Sequence, residues 1–348
     1  MRCVILFLLA SALTSVKSQI VSTITLNPLG PDDSYFISMD LKVGSNQIFP
    51  NIGLDQGSTP LWLPGSNCKL ASGGPCSSHE YDPSKSTTYK ARPDLGKFSI
   101  EYDDGTAFSG TYAQDTLNLP GLDIPNYIFA TVNKASFTPD EAVYNQGVFG
   151  LAPKSKNDPG VSLPDMLYPI LNQKVFTMSF PKSLAETGIM TIGWEGPPAV
   201  GVKLPISFAD EAWNTPKVGV ITASGEAIGK SFPAILDGGT DVIYVPKSVI
   251  KPWCKSVGWR LKKGDCIGPC SGVSKLPNFG FDFGNNLIVM LDMQNAMTYK
   301  YDGNTCGIAI TSNPDSDGWT FGVAFIRQFH TVWNFTGLPQ GIGEVVFS

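Results

Sequence analysis

Short apolar runs alternate with turn-forming residues along most of the chain, a pattern typical of β-strands. Aromatic and β-branched residues fill four of these runs, at residues 35–43, 98–102, 127–132 and 176–180. Asp103-Asp104-Gly105 follows the second run and is predicted to form a hairpin turn. Helical spacing of apolar residues occurs at 163–174, where Pro169 interrupts it, and more weakly at 247–257. We therefore predict an all-β fold with few, short helices.

One short phrase occurs twice in the chain. Residues 54–58 (Leu-Asp-Gln-Gly-Ser) and 236–240 (Leu-Asp-Gly-Gly-Thr) each follow an apolar stretch. A second shared phrase follows each copy, at 147–151 (Gly-Val-Phe-Gly-Leu) and 319–323 (Trp-Thr-Phe-Gly-Val). The period is too long for a solenoid and indicates duplication of a whole lobe. Each lobe then delivers one aspartate to a shared pair.

The length of the chain agrees with two lobes. At 348 residues it exceeds the usual size of one domain. Turn-forming residues around 181–188 give the best boundary between the lobes. We predict an N-terminal lobe at 19–184 that carries Asp55 and the hairpin, and a C-terminal lobe at 185–348 that carries Asp237.

The N-terminus has the features of a secretory signal peptide at residues 1–18, with a charged start, an apolar run and small residues before a cut at Gln19. The alternative is a buried N-terminal strand. No other stretch approaches 18 apolar residues, so we expect no membrane association after signal removal and a secreted or endo-lysosomal location. Only 36 residues separate Gln19 from Asp55, which predicts that no inhibitory propeptide is present.

Signal removal would leave an even number of cysteines, which in an exported chain implies disulfides. Six cysteines allow 15 pairings, and the first two are close enough to close a small loop: Cys68, Cys76, Cys254, Cys266, Cys270 and Cys306. The mature chain would carry 23 basic and 30 acidic residues, a net charge of −7 that argues against a nucleic-acid partner. Asn334 lies in a glycosylation acceptor sequence, whose use depends on whether it lies on a paired strand.

Several common chemistries do not fit the sequence. The only two histidines, His79 and His330, do not have metal-ligand spacing, so we expect no metal. No nucleophile elbow of the form Gly-x-Ser-x-Gly is present. Gly229-Lys230-Ser231 lacks the glycine and the helix of a phosphate loop, and Gly341-Ile342-Gly343 lacks a dinucleotide-binding context. We therefore expect no cofactor.

The two aspartates remain as candidate chemistry. A single Asp-x-Gly phrase usually only forms a turn, but two copies that follow apolar strands indicate a carboxylate pair. Gly57 and Gly239 are expected to permit tight turns, and Ser58 and Thr240 to donate hydrogen bonds to the outer carboxylate oxygens. Two facing carboxylates cannot both ionise cheaply, so they share one proton. Such a pair can activate a water and polarise a substrate carbonyl.

Four segments give the chain a specific resemblance to the pepsin family of aspartic endopeptidases, over nearly all of the mature sequence. They are residues 55–64, 81–89, 100–106 and 325–329. The resemblance implies a bilobal double β-barrel or sheet architecture with an active-site cleft between the lobes. It also implies an extended polypeptide as substrate, apolar preference beside the scissile bond and an acid pH optimum. We expect a monomer.

The resemblance also implies roles for individual residues. Asp55 and Asp237 match the catalytic pair. Tyr102 and Gly105 match the flap, the hairpin that closes over bound peptide, and Trp62 matches the indole that braces the flap tyrosine. The implied disulfides are Cys68–Cys76 and Cys270–Cys306, which leaves Cys254–Cys266 by subtraction.

Two positions that follow the aspartates depart from the family pattern. The family usually carries Thr or Ser there, whose hydroxyl bonds across to the other lobe, whereas this chain has Gln56 and Gly238. The Gln56 amide could reach across instead. Asp103 is a further departure, since its flap position is often Gly. These changes favour an alternative, a weak or inactive peptide-binding homologue, while the retained aspartates favour an enzyme. An unrelated β-sandwich lectin would not explain the repeated phrase.

Overall fold

A computed structural model describes residues 22–29, 36–102, 104–136, 146–154, 160–194, 196, 201–209, 212–293, 298–312 and 317–348. Its strands are β1 Ser22–Leu29, β2 Phe36–Val43, β3 Gln47–Asp55, β4 Leu61–Leu70, β5 Lys90–Ala91, β6 Lys97–Glu101, β7 Ala107–Leu119, β8 Leu122–Ser136, β9 Val148–Gly150, β10 Val175–Ser179, β11 Gly188–Ile192, β12 Val202–Ser207, β13 Trp213–Thr222, β14 Ala227–Leu236, β15 Ile243–Val245, β16 Arg260–Lys262, β17 Asp265–Pro269, β18 Phe279–Asp282, β19 Ile288–Leu291, β20 Thr298–Asp302, β21 Thr305–Ser312, β22 Trp319–Phe321, β23 His330–Asn334 and β24 Ile342–Phe347. The α-helices are α1 Leu163–Leu167, α2 Lys247–Ser256 and α3 Val323–Ile326, and 3₁₀ helices lie at Pro83–Lys85, Pro93–Leu95, Cys270–Lys275 and Leu338–Gln340.

The predicted all-β class is confirmed. The predicted run at 127–132 lies within β8, and each of the other three runs, except for one end residue, lies within β2, β6 or β10. The predicted helix at 247–257 corresponds to α2. The prediction for 163–174 was wrong in length, because α1 ends at Leu167. Pro169 has no amide hydrogen to continue the helical bonding, so the chain passes into turns. The predicted signal peptide lies outside the described residues, and among these no helix is both long and apolar enough to cross a bilayer.

The two copies of the repeated phrase lie in the same strand arrangement. In the first half, β3 pairs in parallel with β9, and β9 pairs antiparallel with β4. In the second half, β14 pairs in parallel with β22, and β22 pairs antiparallel with β15. The shared glycines explain the second phrase. A β-carbon on Gly150 would lie 2.5 Å from the Ser58 carbonyl oxygen, and one on Gly322 would lie 2.3 Å from that of Thr240.

Strands from both halves also join in one sheet. Its pairing order is β1–β11–β10–β23–β24–β12, with β10 from the first half hydrogen-bonded to β23 from the last residues of the chain. Phe176 of β10 stacks on Trp333 of β23, with ring centroids 5.7 Å apart. One hydrophobic core therefore runs through both halves, from Leu54 to Phe321.

Three disulfides join the described cysteines. Two are the pairs that the resemblance implies, Cys68–Cys76 and Cys270–Cys306, and the third is the pair left by subtraction, Cys254–Cys266. The glycosylation candidate Asn334 ends β23, where it pairs with Val175 and Glu344. Its side-chain oxygen accepts a hydrogen bond from the Thr336 amide at 2.9 Å. Asn334 thus lies on a paired strand, which is the condition on which its glycosylation was said to depend.

A buried carboxylate fastens the loop after the first disulfide to β7. Asp115 is 1% exposed and accepts hydrogen bonds from the hydroxyls of Tyr81 and Thr88, both at 2.5 Å, and from the Thr116 amide at 2.8 Å. Burial alone would raise the pKa of Asp115. The hydrogen bonds outweigh burial and hold this pKa below its usual range.

We predict that Asp115→Asn lowers the free energy of unfolding at pH 7 by about 1–3 kcal/mol, because buried hydroxyl donors lose a charged acceptor. A depressed pKa stabilises the folded state above the unfolded pKa, and this stabilisation is lost as the pH falls through the folded value. The difference between the variant and the wild type should therefore shrink in acid. Chemical denaturation at several pH values measures it.

Asp94→Asn is the control, since Asp94 forms an exposed ion pair with Arg92. This change should leave stability nearly unaltered. An Asp115 effect that is equally large at every pH would contradict the explanation.

Candidate active site

The two repeated phrases form turns that hold their aspartates in the same way. Asp55 ends β3, and its Oδ1 accepts a hydrogen bond from the Gly57 amide at 2.7 Å, while its Oδ2 accepts one from the Ser58 hydroxyl. Asp237 follows β14, with its Oδ1 bonded to the Gly239 amide at 2.8 Å and its Oδ2 to the Thr240 hydroxyl at 2.7 Å. Each carboxylate is thus fixed by one amide and one hydroxyl from its own turn.

The two turns face each other closely. The glycine of each turn lies against the carboxylate of the other turn, so there is no room for a side chain at the glycine. A β-carbon on Gly57 would lie 2.6 Å from Asp237 Oδ1, and one on Gly239 would lie 2.4 Å from Asp55 Oδ1. Neither glycine has the left-handed backbone for which glycine is usually required. The glycines of these turns therefore have a steric role, because a side chain at either position would push the carboxylates apart.

Burial and proximity change the acidity of the pair. Asp55 is 6% exposed. Its pKa is raised well above the usual value, first by burial, then by the charge of Asp237 and a hydrogen bond with that carboxyl group. The hydrogen bonds from Ser58 and Gly57 oppose this shift and do not cancel it. The pair therefore retains a proton at pH values where an isolated aspartate is ionised.

The residues that follow the aspartates lie against each other between the turns. Gln56 is fully buried, and its amide nitrogen donates to the sulfur of Met178 at 3.0 Å. The other end of the amide faces Gly238. The Gln56 side chain therefore does extend towards the other turn.

The β6–β7 hairpin brings Tyr102 close to Asp55, and Trp62 of β4 contacts this tyrosine. The Trp62 indole donates to the Tyr102 hydroxyl at 2.9 Å and stacks on Phe108, with centroids 4.1 Å apart. Burial and the nearby Asp55 raise the pKa of Tyr102, so its hydroxyl keeps its proton. Gly105 turns the hairpin with φ +83°. Asp103 lies outside the described residues.

A cleft of about 630 Å³ contains both aspartates and the hairpin tyrosine. Its apolar wall, which includes Phe98 and Ile100, was not predicted from the sequence. These residues alternate with polar ones on β6 and share a face with Tyr102, so the period of two was a usable signal. Asp241 and Tyr244 also line the cleft, beyond the second phrase, and were not predicted either. The structure brings Asp55, Ser58, Trp62, Tyr102, Asp237 and Thr240 together, whereas the three disulfides do not line the cleft.

Comparison with known proteins agrees with this geometry. Residues 34–345 match the family model described as eukaryotic aspartyl protease. Secreted aspartic protease 8 of Candida albicans is 25% identical over 323 residues, covering 88% of this chain and 75% of that protein. Rhizopuspepsin-4 of Rhizopus niveus is 27% identical over 315 residues, covering 88% and 76%. Cathepsin D of Gallus gallus is 26% identical over 306 residues, covering 84% and 76%.

The raised pKa of Asp55 predicts an unusual effect of removing its charge. A carboxyl group with a raised pKa supports folding fully below its unfolded pKa, and this support is lost as the pH rises through the folded value. Asp55→Asn should therefore raise the melting temperature at neutral pH and leave it nearly unchanged near pH 3. Thermal denaturation of both proteins at the two pH values measures the difference.

Asp123→Asn, which alters an exposed carboxylate bonded to Asn118, is the matched control and should show no such pH dependence. If Asp55→Asn changed the melting temperature equally at both pH values, burial would not be destabilising the ionised form of the Asp55 carboxyl group.

Proposed function

Because the chain belongs to the eukaryotic aspartyl protease family, we propose that it is an active aspartic endopeptidase whose catalytic pair is Asp55 and Asp237. The observation that carries this proposal is the contact of each turn with the carboxylate of the other. Two carboxyl groups so placed hold one proton between them, which is the state that hydrolysis requires. Gly57, Ser58, Gly239 and Thr240 support the pair.

The chemistry follows from the shared proton. The ionised carboxylate accepts a proton from a water between the two groups, and the water oxygen attacks the peptide carbonyl carbon. The protonated carboxyl donates its proton to the carbonyl oxygen, so the tetrahedral intermediate forms without a full negative charge. When the intermediate collapses, one of its hydroxyls returns a proton to the carboxylate that is now ionised, the carbon–nitrogen bond breaks, and the amine leaves with the proton of the other carboxyl group, so the pair again holds one proton. The mechanism operates below the raised pKa of Asp55, so we expect an acid optimum.

The substrate is an extended polypeptide that crosses the cleft beneath the hairpin. Phe98 and Ile100 provide an apolar wall, which supports a preference for apolar side chains beside the scissile bond. The hairpin residues Tyr102 and Gly105 act as the flap, and Trp62 of β4 braces Tyr102. Tyr102 is held by Trp62 before any peptide binds, so little ordering of this contact is left to the binding step.

The proposal extends to organisation and location. We assign the N-terminal lobe to 19–184 and the C-terminal lobe to 185–348, supported by the equal strand pairing of the two halves. We also propose a monomer that is exported after removal of residues 1–18, to the outside of the cell or to the endo-lysosomal lumen. Three disulfides favour an oxidising compartment, and one relative is named as secreted.

We expect the protein to digest an unfolded polypeptide at acid pH and to be inhibited by a statine-type mimic of the tetrahedral intermediate. Asp55→Asn should reduce kcat by about 10³-fold or more, because the pair can no longer exchange its proton. Its affinity for a peptide should change little. The alternative, a binding homologue without turnover, is the conclusion if folded wild-type protein binds the mimic and cleaves nothing at any pH.

The bond between the flap and its brace predicts a smaller effect. Trp62→Phe removes the indole donor and leaves the Tyr102 hydroxyl in place, so kcat/KM should fall by about 2–12-fold, the equivalent of one hydrogen bond. Tyr102→Phe removes the same bond from the other side and should give a similar loss. The double variant should then be no worse than either single variant. Additive losses would show that the two residues act independently.

A further inference from the structure

The residues that follow the two aspartates make an asymmetric, buried contact between the two turns. A β-carbon on Gly238 would lie 2.0 Å from Gln56 Oε1, 3.0 Å from its Cδ and 3.3 Å from its Nε2. No other described atom lies closer than these three. Gly238 does not have a left-handed backbone. It is therefore the Gln56 amide, and not the conformation of the turn, that excludes a side chain at position 238.

Both polar atoms of the Gln56 amide contact a neighbouring residue, but only the nitrogen forms a hydrogen bond. Gln56 Nε2 donates to Met178 Sδ at 3.0 Å in β10, whereas Oε1 is buried and has no hydrogen-bond partner among the described residues. Since a Cα–Cβ bond is about 1.5 Å long, Oε1 lies no more than about 3.5 Å from the Gly238 Cα, within reach of a weak C–H···O contact. A buried carbonyl with so weak a partner is unfavourable for stability. A contribution to stability therefore does not explain why the Gln56 oxygen lies there.

We propose that Gln56 is a positioning residue that sets the separation of the two catalytic turns by seating its amide oxygen in the space that Gly238 leaves open. The inference rests on the proposed function, because it concerns the same aspartate pair. In the family pattern, a hydroxyl from each turn bonds across to the other lobe. Here one longer side chain from the Asp55 turn spans the gap, and the Asp237 turn contributes the space for it.

This contact bears on catalysis because the aspartates are adjacent in sequence to the residues that make it. Anything that pushes Gly238 away from Gln56 also moves Asp237 away from Asp55. Asp237 helps to raise the proton affinity of Asp55, so separating them should let Asp55 lose its proton at a lower pH. A displaced turn should therefore change the pH dependence of kcat, whereas a variant that only lowers the stability of the fold should not.

The test is a double-mutant cycle on the full-length protein. Gly238→Ala should reduce kcat by at least 10-fold with KM nearly unchanged, and should move the alkaline limb of the kcat profile to lower pH. Gln56→Ala should also reduce kcat. In the double variant, however, the methyl at position 238 occupies the space that the amide has left, so kcat should lie within about twofold of Gln56→Ala alone.

Gly272→Ala is the matched control. A β-carbon there would come no closer than 3.4 Å to any neighbour, and Gly272 lies in the 3₁₀ helix at Cys270–Lys275. The change should leave kcat, KM, the pH profile and the melting temperature unaltered. The positioning role is overturned if Gly238→Ala has the same effect with and without Gln56, or if it has no effect while Gln56 is present.

The cycle also separates this inference from the proposed function. If the wild-type protein cleaves nothing, the function fails, but the melting temperatures of the four proteins still test the contact. Gly238→Ala should lower the melting temperature only when Gln56 is present. If Gly238→Ala alone does not fold, the double variant should fold as well as Gln56→Ala. A double variant that also fails to fold overturns the inference.

Discussion

The structure depends on bringing two like-charged groups into contact inside a protein. If both carboxyl groups were ionised, the two neighbouring negative charges would repel each other strongly inside the protein. The molecule avoids that cost in two ways. It retains a proton on the pair, as the raised pKa of Asp55 indicates. It also surrounds each carboxylate with an amide and a hydroxyl that bond to the charged form.

The rest of the fold supplies the rigidity that this contact needs. Each turn lies across a neighbouring strand, and Gly150 and Gly322 allow the strands to pass directly against the backbone of the turns. The sheet shared by β10 and β23 then fixes one half relative to the other. A small movement in any of these layers would be transmitted to the carboxylates, because packed interiors yield little.

The sequence alone predicted the elements that leave a local signature. The repeated phrase predicted two equivalent turns and a carboxylate pair, since the same residues solve the same steric problem twice. The aromatic and branched residues at 98–102 predicted β6, and the period of two within this strand would also have predicted the apolar wall at Phe98 and Ile100. Such local patterns could not predict contacts between distant residues. Gln56 and Met178 lie 122 residues apart, and no local pattern marks Met178 as a neighbour. The predicted helix at 163–174 was too long, because apolar spacing continues past Pro169 whereas helical hydrogen bonding does not, and α1 ends at Leu167.

The shared sheet has a consequence for the order in which the protein folds. Ser179 of β10 pairs with His330 of β23, 151 residues further along the chain, whereas neighbouring strands such as β7 and β8 pair within one hairpin. Pairing between such distant residues requires the closure of a long loop and therefore forms slowly. The strands within each half should form before the sheet that aligns the halves, so the carboxylate pair should be assembled in one of the last steps of folding.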